Sequence, residues 1–331
     1  MKTLFSVQPG PPESLELTEV AEPQPAPGQI LLRVHACAIN YPDVLIIEDR
    51  YQFKPPRPFA PGGEVAGIVE ALGEGVAGWN LGDRAIAMLG HGGLAELVAI
   101  PAAGAFPLPP ERSFAEGASL ILTYATAIHA LLDRARLRER ETLLVLGAAG
   151  GVGLAAVELG KAFGARVIAA VSSDEKAEAA REAGADEAIV YPLGPFDRNG
   201  LKELGALFKS AVGPSGADVV LDPVGGGYAE PAIRALGWGG RYLVVGFPAG
   251  IPTPPLNLTL LKEAELLGVF WGAWAAREPA ANRAHVEHLF RLWDEGRISP
   301  RVSRTWPLAQ GGEAIRHMAE RRAVGKLVVE L

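Results

Sequence analysis

The segment Leu143-Leu144-Val145-Leu146-Gly147-Ala148-Ala149-Gly150-Gly151-Val152-Gly153 has residue types and a spacing that suit chemistry. A short aliphatic run enters a cluster of glycines and then an apolar-periodic stretch reaching Gly164. A strand that turns into a helix in this way presents free N–H groups and a positive dipole end, which attract a pyrophosphate. In this reading Gly147 makes the tight turn and Gly150 leaves room for phosphates. Gly151 and Val152 open the helix, and Gly153 lets it pack closely on the strand. The spacing is G-x-x-G-x-x-G, a variant of G-x-G-x-x-G, and an ordinary glycine-rich turn of another α/β protein has the same look. A second strand pattern at 166–171 completes a βαβ-sized unit and favours a dinucleotide.

The end of that second strand bears on which dinucleotide. A carboxylate there binds the ribose hydroxyls of NAD. Here Val171 is followed by Ser172 and Ser173, with Lys176 one helical turn further on. Small hydroxyl residues leave space for a 2′-phosphate and a lysine can neutralise it, which points to NADPH. The alternative is structural: Ser172 with Glu175 as a capping box, and Lys176 as a solvated helix residue.

Strands at 30–38, 64–72 and 94–100, and a stretch at 79–88 that carries a Gly82-Asp83 turn and then a strand, predict a β-rich first third. From Ser113 the period becomes helical, with two helices over 114–132 and a break near Thr123. Strands at 143–146, 167–171, 187–191, 218–221, 241–246 and 267–270 then alternate with helical stretches, as in a parallel, doubly wound sheet. Residues 248–255 are proline-rich and predict a loop. A helix is expected over 278–296 and a last strand over 326–330. The expected layout is a β-rich domain from both chain ends, 1–122 and 265–331, around a nucleotide domain at 123–264.

The 331 residues are enough for two cores. A hydrophobic share of 49% with 21% charged residues describes a globular chain. A net charge of −7 argues against nucleic acid or an anionic membrane as partner. One cysteine, Cys37, excludes internal disulfides and a multi-cysteine zinc lobe, and fits a reducing cytoplasm. Residues 1–4 enter a strand pattern with no secretory h-region. The longest uncharged run, 142–157, is short for a membrane span.

These motifs, with Asn40-Tyr41-Pro42-Asp43, Pro61-Gly62-Gly63-Glu64-Val65-Ala66-Gly67, Thr123-Tyr124-Ala125-Thr126-Ala127, Asp222-Pro223-Val224-Gly225-Gly226 and Gly325-Lys326, share an order and spacing along the whole chain. In that respect the chain resembles the zinc-independent quinone oxidoreductase branch of the medium-chain dehydrogenase/reductase superfamily. The resemblance implies an α/β protein with a GroES-like catalytic domain and a Rossmann domain, dimeric and using NADPH. Zinc-dependent relatives carry a cysteine near the position of Asn40 and a histidine at that of Gly63. Around Leu122, the third-ligand region, there is no thiol or imidazole, so zinc catalysis is not expected.

Without a metal, the enzyme must hold the nicotinamide and stabilise charge developing on the acceptor oxygen. Quinones and α,β-unsaturated carbonyls delocalise that charge. The resemblance places Asn40 near nicotinamide and substrate, although a turn asparagine before Tyr41-Pro42 is the plainer reading. It places Tyr51 where enoyl-thioester reductases have a proposed proton donor, although packing beside Phe53 is equally possible. Thr126 is expected at the nicotinamide, or else as a helix-interior threonine. The resemblance carries Ser172, Lys176 and Tyr191 to the 2′-phosphate and adenosine end. Val224, Gly246 and Phe247 lie at strand C-terminal ends, where open α/β sheets bind ligands. Phe270 and Trp271 are expected at the nicotinamide end and the dimer seam, or in plain packing. Lys326 reaches the cofactor or is solvated. Two rivals stand beside a quinone or enone reductase: a 2-enoyl thioester reductase, and a non-catalytic NADPH-binding protein.

Overall fold

Seven strands precede residue 110: β1 (Lys2–Ser6), β2 (Leu15–Glu19), β3 (Gln29–Ile39), β4 (Glu64–Leu72), β5 (Arg84–Met88), β6 (Leu97–Pro101) and β7 (Ala105–Pro107). Six more follow: β8 (Thr142–Leu146), β9 (Arg166–Val171), β10 (Glu187–Val190), β11 (Ala217–Asp222), β12 (Leu236–Val244) and β13 (Glu265–Gly268). β14 (Val302–Pro307) and β15 (Lys326–Glu330) close the chain. The computed structural model describes all residues from Met1 to Leu331, in two units: Met1–Leu122 with Pro300–Leu331, and Thr123–Ser299.

In the first unit, the order β14-β15-β3-β4-β5-β7 forms a seven-stranded sheet, with β6 also on β3. Register is the feature that matters here. Leu327 of β15 lies opposite Ile39 of β3, and Ala38 of β3 lies opposite Glu64 of β4. Lys326, Asn40 and Glu64 are therefore brought to one end of three adjacent strands. Leu32, Ile39, Val65 and Leu327 are fully buried in the core beneath them.

Directly after β3 the chain enters helix α1 (Tyr41–Ile47), with Asn40 as its N-cap and proline in its first turn. The expectation of a simple turn at Tyr41-Pro42 is thus corrected, because proline fixes φ at a helical value and loses only an N–H the helix does not need.

The second unit holds a six-stranded parallel sheet in the order β10-β9-β8-β11-β12-β13. Residues Leu143–Leu146 of β8 have no solvent exposure, as a strand covered on both faces requires. The chain builds outward from β8 to one side, then restarts at β11 on the other. The topological switch point lies between these two strands, where open α/β sheets bind ligands.

Besides shifts of a few residues at strand ends, such as β6 at 97–101 for the expected 94–100 and β12 at 236–244 for 241–246, three boundaries differ from the sequence expectation. Residues 265–299 stay with the second unit, because β13 continues its sheet by pairing with β12. The outer strand ends at Gly268, so Phe270 is not in it and instead precedes helix Trp271–Arg277. The helical break lies at 118–120, between Phe114–Gly117 and Ile121–Ile128, and the latter runs on as a π-helix over His129–Arg134. Thr123 sits inside the helix. The stretch Phe114–Arg134 is long and apolar enough to cross a bilayer by composition, but 72% of its most apolar window is buried within the protein.

Candidate active site

In the first unit the strand register gathers a buried polar cluster. Lys326 Nζ donates to Asn40 Oδ1 at 2.6 Å and to Glu64 Oε2 at 3.0 Å. Asn40 Nδ2 donates to Glu64 Oε2 and to the Ala38 carbonyl, both at 3.3 Å. The second Glu64 oxygen accepts from Leu122 N–H at 2.9 Å. Glu64 is 0% exposed and Lys326 2%. Burying two charges this fully costs several kcal/mol per ion, which only close pairing and further hydrogen bonds offset.

Asp43 lies one turn into α1. Its carboxylate accepts from Asn40 N–H at 2.7 Å and from Gly62 N–H at 2.8 Å. It thus ties the helix start to the loop before β4. Burial pushes its carboxyl up to about 6, Glu64 adds to the rise, and the two N–H bonds and Lys326 oppose it. Tyr51 is half-buried against the same core. Burial, and then the charge of Asp43, raise its phenol, so Tyr51 keeps its proton at neutral pH.

In the second unit the glycine turn has the form the spacing suggests. Gly147 adopts φ +56° between β8 and the next helix. A Cβ at Gly153 would stand 2.3 Å from the Gly147 carbonyl oxygen, so only glycine lets the helix Gly151–Ala162 approach this closely. Gly150 is that helix's N-cap, which leaves the first N–H groups facing the switch point. A Cβ at Gly147 would meet the Val224 side chain at 2.7 Å, so the turn after β11 lies flush against the glycine turn.

At the end of β9, Lys176 Nζ donates to Ser172 Oγ at 3.1 Å. The cap of the next helix is Ser173, whose hydroxyl accepts from Lys176 N–H at 3.4 Å. This corrects the Ser172–Glu175 capping box: Ser172 lies before the cap, and its hydroxyl faces the lysine.

The structure brings together Asn40 and Lys326 in one unit, and in the other the glycine turn with Val224, and Ser172 with Lys176. Thr126 is half-buried on its helix. Tyr191 is 5% exposed, with its ring packed on Tyr228 and Phe208, so it belongs mainly to the core. Gly246 and Phe247 follow β12, and Phe247 is 43% exposed. Phe270 is largely exposed, while Trp271 is buried and donates its indole N–H to Asn282 at 2.9 Å. Lys326 is not a solvated lysine.

Sequence reading missed Glu64 as a site residue. The available signal was a glutamate opening the apolar run Val65–Val69, since a buried carboxylate requires a partner.

Residues 26–110 match the family described as "Alcohol dehydrogenase GroES-like domain", and residues 151–285 match "Zinc-binding dehydrogenase". Quinone oxidoreductase-like protein 2 of Bos taurus is 36% identical over 95% of this chain and 88% of its own length. The chain belongs to the medium-chain dehydrogenase/reductase superfamily, in its quinone oxidoreductase branch. Among solved structures, the Escherichia coli quinone oxidoreductase complexed with NADPH is 28% identical with a TM-score of 0.89, covering 100% of both chains. A mycobacterial protein complexed with NADPH is 26% identical with a TM-score of 0.91, again covering 100% of both.

A zinc ion does not fit the residues present in this medium-chain protein. Asn40 Oδ1 is taken by Lys326, Gly63 has no side chain and Leu122 is aliphatic. Cys37 is buried and its thiol is pushed up by burial. No three His, Cys, Asp or Glu side chains stand together to hold a metal.

Two outcomes follow from the cluster. Lys326→Met strands Glu64 as a buried charge and should cost about 3–5 kcal/mol in urea unfolding. Adding Glu64→Gln should recover part of that loss, and a double variant less stable than the single one would refute the coupling. Asp43, with its carboxyl raised, holds a proton more tightly folded than unfolded. Its contribution to stability should therefore decline by about 3 kcal/mol as pH rises from about 4 to about 6. Asp43→Asn should remove that decline, so wild type should lose ground to the variant between pH 4 and pH 7. A difference that stays constant with pH would count against it.

Proposed function

We propose that this protein is an NADPH-dependent reductase of quinones or α,β-unsaturated carbonyls that works without a metal ion. The observation that carries the cofactor is Lys176 held on Ser172 at a strand end with no carboxylate, beside the glycine turn at the switch point. NADPH, when bound, supplies the hydride. The N–H groups at Gly151–Gly153 receive the pyrophosphate, and Lys176 pairs with the 2′-phosphate.

Conjugated acceptors suit the first-unit cluster because their developing charge spreads over the π system and needs no Lewis acid. Asn40 and Lys326 supply fixed dipole and positive charge there, and Tyr51 supplies a proton. The family names of the bovine and E. coli relatives support the quinone reading. A homodimer is part of the proposal. β13 is the outer edge of the parallel sheet, and Leu256, Leu260, Leu261 and Leu266 are exposed on and beside it. A second copy would cover them. A cytoplasmic setting is supported by the single, unpaired Cys37.

Purified protein should oxidise NADPH with 1,4-benzoquinone, 9,10-phenanthrenequinone or an alkenal, unaffected by EDTA. Turnover with crotonyl-CoA alone would replace this reading by a thioester reductase, and NADPH binding without turnover on any acceptor would replace it by a binding protein. Lys176→Ala should raise KM for NADPH about tenfold or more while leaving KM for NADH within about twofold, the loss of one charge-assisted contact. Equal effects on both cofactors would remove the 2′-phosphate assignment. Light scattering should give twice the chain mass, and a monomer would end the dimer reading.

A further inference from the structure

The carboxylate of Asp222, at the end of β11, is 2% exposed, and its hydrogen-bond donors are two backbone N–H groups and a hydroxyl. Oδ1 accepts from the N–H groups of Val224 at 2.7 Å and Gly225 at 2.8 Å. Oδ2 accepts from the hydroxyl of Tyr242 on β12. The backbone carbonyl of the same residue accepts from Val245 N–H at 3.0 Å and Gly246 N–H at 3.3 Å. Asp222 thus holds the chain segments that leave the sheet after β11 and after β12.

Those segments are also tied to each other. Ala249 N–H donates to the Val224 carbonyl at 2.9 Å, and Gly226 N–H to the Gly250 carbonyl at 2.7 Å. Gly225 and Gly226 both adopt positive φ, and a Cβ on Gly225 would stand 2.7 Å from that of Phe247. The turn is therefore fixed on one side by Phe247 and on the other by Gly147.

We propose that Asp222 and Tyr242 are a positioning pair for the dinucleotide: they hold the Val224–Gly225 turn and the Gly246–Phe247 segment at the separation from the glycine turn that the cofactor needs. Neither touches the cofactor. A buried carboxylate is a costly way to brace a strand end, and an apolar side chain of that size would cost less. A carboxylate's two oxygens accept several N–H and O–H bonds at once, which fixes a turn in a way an apolar contact does not. The Tyr242 hydroxyl binds that carboxylate to the next strand, so the turn cannot shift without moving β12.

This rests on the reading that the glycine turn holds NADPH. The test uses the full-length protein and NADPH itself. Asp222→Asn keeps the size but loses the charge, and Tyr242→Phe loses only the hydroxyl. Direct titration by NADPH fluorescence should show Kd raised about tenfold in Asp222→Asn and about threefold in Tyr242→Phe. Both are read well below the melting temperature of each variant. Amide exchange at Val224 and Gly225 in the cofactor-free protein should quicken at least tenfold in Asp222→Asn. Should Asp222→Asn fail to fold, Tyr242→Phe carries the test alone. Wild-type protein that binds no NADPH overturns the cofactor reading. Wild-type binding with Kd unchanged within twofold in the folded variants overturns the positioning role. A lower melting temperature with unchanged Kd does the same, because a bracing role alone would give that result.

Discussion

The ion pair between Lys326 and Glu64 is the constraint around which the first unit is organised. A lysine at 2% exposure and a glutamate at 0% are tolerable only when each lies within hydrogen-bond reach of the other and of further partners. That requirement fixes register. Sliding β15 by one residue against β3 would turn Lys326 to the opposite face and leave Glu64 alone in the core. It also fixes Asn40, whose two side-chain ends are taken by the lysine and the glutamate. Helix α1 then starts at a defined residue, and Asp43 in its first turn reaches the loop before β4. One pair near the chain's end sets the geometry of three strands, a helix start and a loop.

In the second unit the glycine turn depends on close approach. Glycine at position 153 lets a helix lie against the turn it grows from, and the turn after β11 closes on Gly147 from the other side. The two units use different physics for the same end, since each makes rigid a set of donors that solvent would otherwise satisfy.

The sequence was most informative where a residue type has only one use. Gly147 and Gly153 could be assigned roles because a strand-to-helix turn with close packing tolerates nothing else. The strands 64–72 and 326–330 were placed to the residue because their apolar runs end in clear breaks. The cluster was harder to see. Glu64 and Lys326 are 262 positions apart in the chain, and although the apolar run after Glu64 hints at its burial, nothing local says that the two meet. The cap at Ser173 was misplaced by one residue because Ser172 and Ser173 are chemically alike, and only the backbone angles distinguish them. The resemblance carries Tyr191 to the adenosine end, but a tyrosine after a strand serves a core equally well, and its ring packs on Tyr228 and Phe208. The boundary near 265 was misread because a short outer strand looks the same whether it continues one sheet or begins another.

In metal-dependent members of this superfamily a divalent cation sits among the side chains that Asn40 and Gly63 replace. Here the positive charge comes from the chain itself, on the last strand. The difference has physical consequences. A lysine ammonium carries one charge and donates hydrogen bonds, where a metal accepts lone pairs, so its neighbours must be acceptors. They are: an amide oxygen and a carboxylate. With one negative charge balanced by one positive, Asp43 is left as the unbalanced carboxyl. Burial raises it towards neutrality, and only two N–H groups and a nearby cation hold it ionised. The cluster therefore carries one surplus negative charge when Asp43 is ionised and none when it is protonated, so its net charge changes at a pH of about 6.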